Sequence, residues 1–398
     1  MKALQKLLVA SLALSLPMAG LAQAAPPAAE DTVKVTPYGF ILANAYMTGN
    51  GLTSNDYPGQ ATTAVRGGAV LYSARQSRLG FRLASKDSWS GADLAGVVEF
   101  DFNAGHLSTA STAWYNGVMR LRLANMTASW KTSAGNVSIL AGQDYGLVNT
   151  LFAESLAWVA SPLFWQAGNV WRRAPQFRLS WGNSFGDYGL NAAVAALSPA
   201  TADGASVDFG TGNQSRMPNI EARLGATAKF APDVTAALGL GYHAGKRRLA
   251  YGTANQQDLS DSMFGVDLDL GLTKYAQVKG EYYNGKGADD TYAAIGASFT
   301  GAAPNAEAIK TSGMWAQAIL KPMPWLWVTA GYGQAKADEA QSAAGARTDN
   351  KQAAGGVLVN AGKFWRFGVE YCQVTTTYKG NATDQKATQL AVSSMLKF

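Results

Sequence analysis

Apolar and charged side chains alternate one for one through segment after segment of this chain. Phe264, Val266, Leu268 and Leu270 oppose Asp267 and Asp269, and Trp365, Phe367, Val369 and Tyr371 oppose Arg366 and Glu370. Arg78, Gly80 and Arg82 oppose Leu79, Phe81 and Leu83, while Glu99 and Asp101 oppose Val98, Phe100 and Phe102. Leu121 and Leu123 oppose Arg120 and Arg122, and Phe177 and Leu179 oppose Arg178. Successive side chains of a strand point to opposite faces, so this period predicts strands with one apolar face and one wet face.

Sixteen such segments are read near residues 33–47, 71–85, 92–103, 117–130, 137–147, 174–182, 187–197 and 219–231, then 233–245, 262–272, 274–284, 309–321, 324–335, 352–360, 363–379 and 385–398. Their connections alternate. Short ones such as 132–136, 183–186 and 231–233 are followed by long ones rich in Gly, Asn, Asp and Ser: 48–70, 104–116, 147–173, 198–218, 246–261, 285–308, 336–351 and 380–384. An all-β, sixteen-stranded antiparallel transmembrane β-barrel has this layout, with short turns at one end and long loops at the other. A secreted β-sandwich gives the same alternation strand by strand. The count, and aromatics beside the short turns (Trp130, Trp181, Tyr188, Trp325, Trp365), favour the barrel, where they form a girdle at the lipid headgroups.

The N-terminus carries an export signal. Lys2 and Lys6 form a basic start, Leu7 to Met18 an apolar run, and Ala22-Gln23-Ala24 a small-x-small cleavage site. Residues 1–24 are therefore expected to leave, 25–32 to form a short disordered lead, and 33–398 to form the barrel. Two lysines go with the signal, so the formal charge of +6 falls by two. That excess is too diffuse for nucleic-acid binding, which needs a concentrated basic patch. No later apolar run is long enough for a transmembrane helix, the best one (151–165) being broken by Glu154 and Pro162. The single cysteine, Cys372, cannot form an internal disulfide, and two histidines, His106 and His243, are too few for most metal sites. No metal site and no cofactor motif is predicted.

About 16 strands enclose an aqueous channel rather than a packed interior. Something must narrow it. The third long loop, 147–173, carries Phe152, Trp158, Phe164, Trp165 and Trp171 together with Arg172 and Arg173. So apolar a segment is expected to fold inward as a constriction, although burial at a subunit interface would also hide it. By parity Arg78, Arg82, Arg120, Arg122 and Arg178 point inward, as a ladder of permanent cations suited to carboxylates and phosphates. Glu99 and Asp101 lie on the strand between them, and Asp144 and Glu154 add acid near the loop. Cross-strand ion pairs could absorb the ladder's charge. Mild anion selectivity and a near-neutral pore therefore both stand. Lys246-Arg247-Arg248 is read as a solvated loop just past the ninth strand.

Val35-Thr36-Pro37-Tyr38-Gly39-Phe40-Ile41, Ser77-Arg78-Leu79-Gly80-Phe81 and Val97-Val98-Glu99-Phe100-Asp101-Phe102 occur in order, followed by Met119-Arg120-Leu121-Arg122 and Leu140-Ala141-Gly142-Gln143. Over roughly 33–180 the chain resembles the trimeric bacterial outer-membrane porins, most of all the DcaP-like dicarboxylate porins. The resemblance implies a homotrimer in the outer membrane, contacting its lipid and lipopolysaccharide and passing small anionic solutes. The last segment also resembles that of outer-membrane barrels generally. Leu390, Val392, Ser394, Leu396 and the terminal Phe398 share one face, and the resemblance implies that Phe398 is an assembly signal read by the barrel-assembly machinery. An outer-membrane enzyme is the contrasting class, but only His106 and His243 could serve as its general base, and no His-x-x-x-His occurs. A sugar-permeable porin using Trp158, Trp165 and Trp171 as stacking platforms is a third.

Overall fold

Period two persists around a closed ring of sixteen antiparallel strands, and it is the apolar face that looks outward. The computed structural model describes residues 33–64, 67–86, 90–104, 117–201, 210–292, 294–296 and 298–398. The export signal, the lead and His106 lie outside the described residues. The strands are β1 (Lys34–Thr48), β2 (Ala69–Ser73 and Arg78–Lys86), β3 (Asp93–Asp101), β4 (Arg120–Thr132), β5 (Gly135–Tyr145) and β6 (Arg173–Phe185). Next come β7 (Tyr188–Leu197), β8 (Asn219–Ala231), β9 (Val234–Leu249), β10 (Gln257–Thr273) and β11 (Ala276–Lys286). The last five are β12 (Lys310–Met323), β13 (Leu326–Ala337), β14 (Arg347–Ala361), β15 (Trp365–Tyr378) and β16 (Gln385–Lys397).

The two parts of β2 are one interrupted strand, since both pair with β1, at Asn44–Thr48 and Lys34–Phe40. Each strand pairs with its sequence neighbours, and β1 pairs with β16 from Phe40↔Lys397 to Thr48↔Gln389. Closure leaves no edge strand to recruit another chain.

Burial alternates with the pleat and in the sense opposite to a soluble protein. On β14 to β16, Asn350, Gln352, Glu370 and Gln389 are at most 2% exposed, whereas Val357, Val369, Tyr371 and Val392 are 42–49% exposed. A β-sandwich would hide the second set. An outward apolar band needs lipid, where a closed barrel satisfies every backbone group. Phe185, Tyr188, Phe230, Tyr275, Trp325, Phe364 and Trp365 sit exposed beside the short turns, as a girdle would. These turns are tight. Residues 186–187 alone join β6 to β7, with Gly186 at φ +65°, a conformation glycine adopts without strain.

The long connections do not stand free. Ala61 N–H of the first long loop bonds Thr376 Oγ1 at 3.0 Å, and Tyr378 Oη donates to Ala61 O at 2.8 Å. The sixth, between β11 and β12, buries Tyr292 and Ile295. The fifth is shorter than the spacing of the sequence predicts. Lys246-Arg247-Arg248 continue β9 instead of beginning a loop, because Asp258 and Asp261 on β10 pair with them. Arg248 Nε lies 2.7 Å from Asp258 Oδ1, and Arg247 Nε lies 3.2 Å from Asp261 Oδ2. Arg247 also reaches Asp290, which ties the sixth loop down.

That loop holds an acid short of partners. Asp289 is fully buried, and burial pushes its carboxyl up to about 6 despite the N–H of Gly296 at 3.0 Å. The protonated form suits the site, so its contribution is complete below the ordinary carboxylate value and is lost as pH rises through about 6, on the order of 3 kcal/mol once ionised. Protease cleavage between residues 287 and 309 is expected to accelerate from about pH 5 to about pH 8 more than in the Asp289→Asn protein. The same acceleration in both proteins would discard the idea.

Candidate functional site

Three strands build a wall of alternating charge. Arg78 on β2, Glu99 and Asp101 on β3, and Arg120 and Arg122 on β4 meet on the inner face. Arg120 takes Asp101 with both arms of its fork, Nε to Oδ1 at 2.9 Å and Nη2 to Oδ2 at 2.6 Å. Arg122 bridges both acids, 2.8 Å from Glu99 Oε1 and 2.8 Å from Asp101 Oδ2, and donates to Tyr145 Oη at 2.9 Å. Arg78 Nε is 3.5 Å from Glu99, and Tyr38 Oη donates to Glu99 at 2.9 Å.

Arg122 reaches this place through an irregularity that the alternation did not announce. The β3–β4 register slips between Glu99 and Phe100, so Phe100 faces Leu121 but Glu99 faces Leu123. One extra residue is accommodated, and a bulge of this kind re-aims a side chain. Beyond it the phase changes, and Leu123, expected on the outer face with Leu121, stands opposite inward Glu99. Arg122 becomes a buried strut, with 2% of its side chain accessible.

The other arginines are less neutralised. Arg82 is exposed, its guanidinium 3.9 Å above the Tyr38 ring. Arg178 on β6 lies 3.4 Å from Asp144 on β5 and bonds Gln176. Arg173 has no ion pair among the described residues; it lies over the rings of Trp171 (5.1 Å) and Tyr145 (5.8 Å), and its Nη1 has no hydrogen-bond partner. Arg172 Nη2 donates to Ser198 O at 2.9 Å, with Nη1 3.6 Å from buried Glu221. The same Glu221, with Asp261, flanks His243 at 3.4 and 3.1 Å. His243 is thus enclosed by acids.

Residues 147–172 connect this wall to the far one. The N–H groups of Leu156 and Ala157 donate to Glu370 Oε2 on β15, at 2.9 and 2.7 Å. Those of Val159 and Ala160 donate to Gln76 Oε1, each at 2.9 Å. Trp158 Nε1 donates to Gln389 on β16 at 2.9 Å, and Phe164 stacks on Trp315 of β12. Trp165 packs edge-on against Tyr57 of the first loop, and Phe152 against Tyr145. Glu154 bonds Gln317 through its backbone and Arg366 through its carboxylate, Oε1 to Nη1 2.7 Å. Carbonyls return the favour to the ladder: Arg78 Nη2 donates to Val159 O at 3.0 Å and Arg120 Nη2 to Ala160 O at 3.1 Å.

Glycines make this approach possible. A Cβ on Gly333 would fall 2.2 Å from Ala167 O, and one on Gly241 2.3 Å from Val148 O. Both are on the inner face, where backbone can meet backbone only if one side chain is missing. Between loop and ladder remains a cavity of about 200 Å³, lined by Arg78, Arg122 and Tyr145 on one side and by Phe152, Trp158 and Trp171 on the other.

A closed, lipid-facing barrel of sixteen strands whose inner face is lined with charge is the architecture of outer-membrane porins. No protein-family model and no curated protein matches the sequence. Among solved structures, the outer membrane channel DcaP of Acinetobacter baumannii superposes with a TM-score of 0.73 at 16% identity, over 92% of this chain and 97% of that one. The anion-selective porin from Comamonas acidovorans gives 0.57 at 16% identity, over 92% and 100%. Salmonella typhi OmpF gives 0.55 at 14% identity, over 92% and 97%. At such identities the likeness establishes the shared fold.

Proposed function

We propose that the chain is an outer-membrane porin, a passive path for small hydrophilic solutes with a mild preference for anions, dicarboxylates among them. The observation that carries this reading is the charge beside the cavity. Five guanidinium groups, on Arg78, Arg82, Arg120, Arg122 and Arg173, are set against two carboxylates, on Glu99 and Asp101. The excess is positive after the pairs with Glu99 and Asp101 are counted. Cations held in weak, successive sites pass an anion onward without trapping it. In this reading residues 147–172 form the constriction, with Glu154 and Asp144 as counter-charges. The neighbouring folds include one described as an anion-selective porin, which supports the same reading.

The test is the reversal potential of the purified protein in a planar bilayer under a salt gradient, repeated with succinate. An anion-favouring reversal, with succinate carrying or blocking current, is the expected result; a cation-favouring pore would overturn it. Phe152, Trp158 and Trp171 on the opposite side of the cavity favour a second reading, a sugar path that stacks pyranose faces. Sugar flux independent of net charge would single that out.

Homotrimeric assembly, lipopolysaccharide contact and recognition of Phe398 by the assembly machinery belong to this proposal too. Phe398 exchanges backbone hydrogen bonds with Gly39, N–H to O at 3.1 Å and back at 3.2 Å, at the seam where β16 meets β1. Deleting it is expected to lower the yield of folded barrel without changing the conductance of the molecules that assemble. Normal yield would remove Phe398 from assembly.

A further inference from the structure

Away from the ladder, four cations share the inner face toward the short-turn end of the barrel. Arg366 on β15 is 8% exposed, and among the described residues only its Nη1 is matched, by Glu154 at 2.7 Å, while Nε and Nη2 are buried with no hydrogen-bond partner there. Its guanidinium lies 4.6 Å from the Trp327 ring, which Lys321 Nζ also approaches at 4.6 Å. Lys397 shares a face with Met395, and Met395 stands opposite Arg366 in the β15–β16 register. Lys279 stands opposite Gln317, the residue that binds the Glu154 backbone. Among the described residues Lys279, Lys321 and Lys397 make no ion pair. Lys279 and Lys397 both feel the Glu154 charge, and Asp269 is the other acid near Lys279.

The Nε–Nη2 edge of a guanidinium is a two-pronged donor whose natural complement is a carboxylate, and burying it unmatched is costly. The structure already shows which chemistry the site accepts, because the third loop supplies a carboxylate to it. That carboxylate is held by one arm only, and about a quarter of the Glu154 side chain is accessible (24%).

We propose that Arg366, Lys279, Lys321 and Lys397 form a second carboxylate site, on the wall away from the arginine ladder, and that Glu154 is its tethered occupant. A small carboxylate solute takes the unmatched edge of Arg366 as the Glu154 carboxylate swings away, and the lysines hold it against the wall above Trp327. Glu154 then competes with each passing solute and keeps the site from binding any of them tightly. This rests on the anion-pore reading and adds to it a place where carboxylates are told from halides, since chloride cannot span the fork.

The test is the acetate-to-chloride permeability ratio of the full chain in planar bilayers. Glu154→Gln is expected to raise the ratio roughly threefold, the scale of a partly accessible ion pair. In an Arg366→Gln background the same change is expected to do nothing. An equal rise in both backgrounds would mean simple removal of negative charge and would overturn the site. Should Arg366→Gln fail to assemble, Arg366→Lys keeps the charge without the fork and is expected to abolish the acetate preference; an undiminished preference there overturns the site as well. If Glu154 and Arg366 variants leave the ratio unmoved while Arg78→Gln with Arg82→Gln alters ion selectivity, the second site is wrong and the anion pore survives. If that ladder variant is also without effect, the pore reading has failed first.

Discussion

Replacing Arg78 and Arg82 together with glutamine is expected to lower the anion-to-cation permeability ratio about fivefold, because a unit charge about 4 Å from a passing ion is worth about 1 kcal/mol in water. The choice of these two follows from what each arginine holds. Without Arg78, Glu99 keeps Arg122 at 2.8 Å and the Tyr38 hydroxyl at 2.9 Å, and Arg82 has no acid to abandon among the described residues. Arg122 is different. Among the described residues it alone touches both Glu99 and Asp101, and removing it leaves buried acids underpaired, a loss of about 3–5 kcal/mol where a buried pair is broken. Arg122→Gln is therefore expected to reduce folded yield, whereas the Arg78, Arg82 double variant assembles normally and changes selectivity. Bilayer reversal potentials measure the second effect, and heat-shifted migration in gels the first. A double variant with unaltered reversal potential would show that the wall's acids already cancel its arginines.

Strand number and facing were legible in the sequence because period two is local: each strand announces its own faces. The contacts that the long connections make were less legible. Trp158 meets Gln389 across 231 residues of chain, and Ala61 meets Thr376 across 315. No local pattern specifies such pairs. The aromatic content of 147–173 did mark it as a segment needing a surface to cover, but the first loop, with polar residues around Tyr57, carried no such mark. Two signals were present and unread. Gly241 and Gly333 occur on the wet face of their strands, where a residue without a side chain invites a close neighbour. Arg366, Lys397 and Lys321 share the inward parity used to find the ladder, yet lie far from it in sequence. The bulge at Arg122 had no signal, since Arg-Leu-Arg-Leu reads as perfect alternation until its partner strand is known. Lys246-Arg247-Arg248 misled for a related reason: a basic run looks solvated until Asp258 and Asp261 are placed opposite it.

Glu370→Ala is expected to release the third loop and raise single-channel conductance. One carboxylate oxygen accepts the N–H groups of two successive residues, Leu156 and Ala157, and does so 2% exposed. Hydrogen bonds to a charged acceptor in such surroundings contribute about 1.5–3 kcal/mol each, and losing the acceptor also strands two donors. Nearby anchors act on the same stretch: Gln389 on the Trp158 indole, and the Tyr46 hydroxyl on Ala157 O at 2.8 Å. They hold side-chain and carbonyl groups, not these N–H groups, so they limit the displacement without replacing the lost bonds. The loop should therefore shift at residues 154–157 first, where Glu154 meets Arg366, while Phe164 stays stacked on Trp315. Higher conductance should come with a higher acetate-to-chloride ratio, because the Glu154 carboxylate leaves Arg366 with the loop and frees the site. Glu370→Gln keeps one acceptor of similar shape and should give an intermediate conductance. A folded Glu370→Ala pore with the parent's conductance would mean that residues 147–172 do not set the narrowest point, and the constriction would have to be sought in the first or sixth loop.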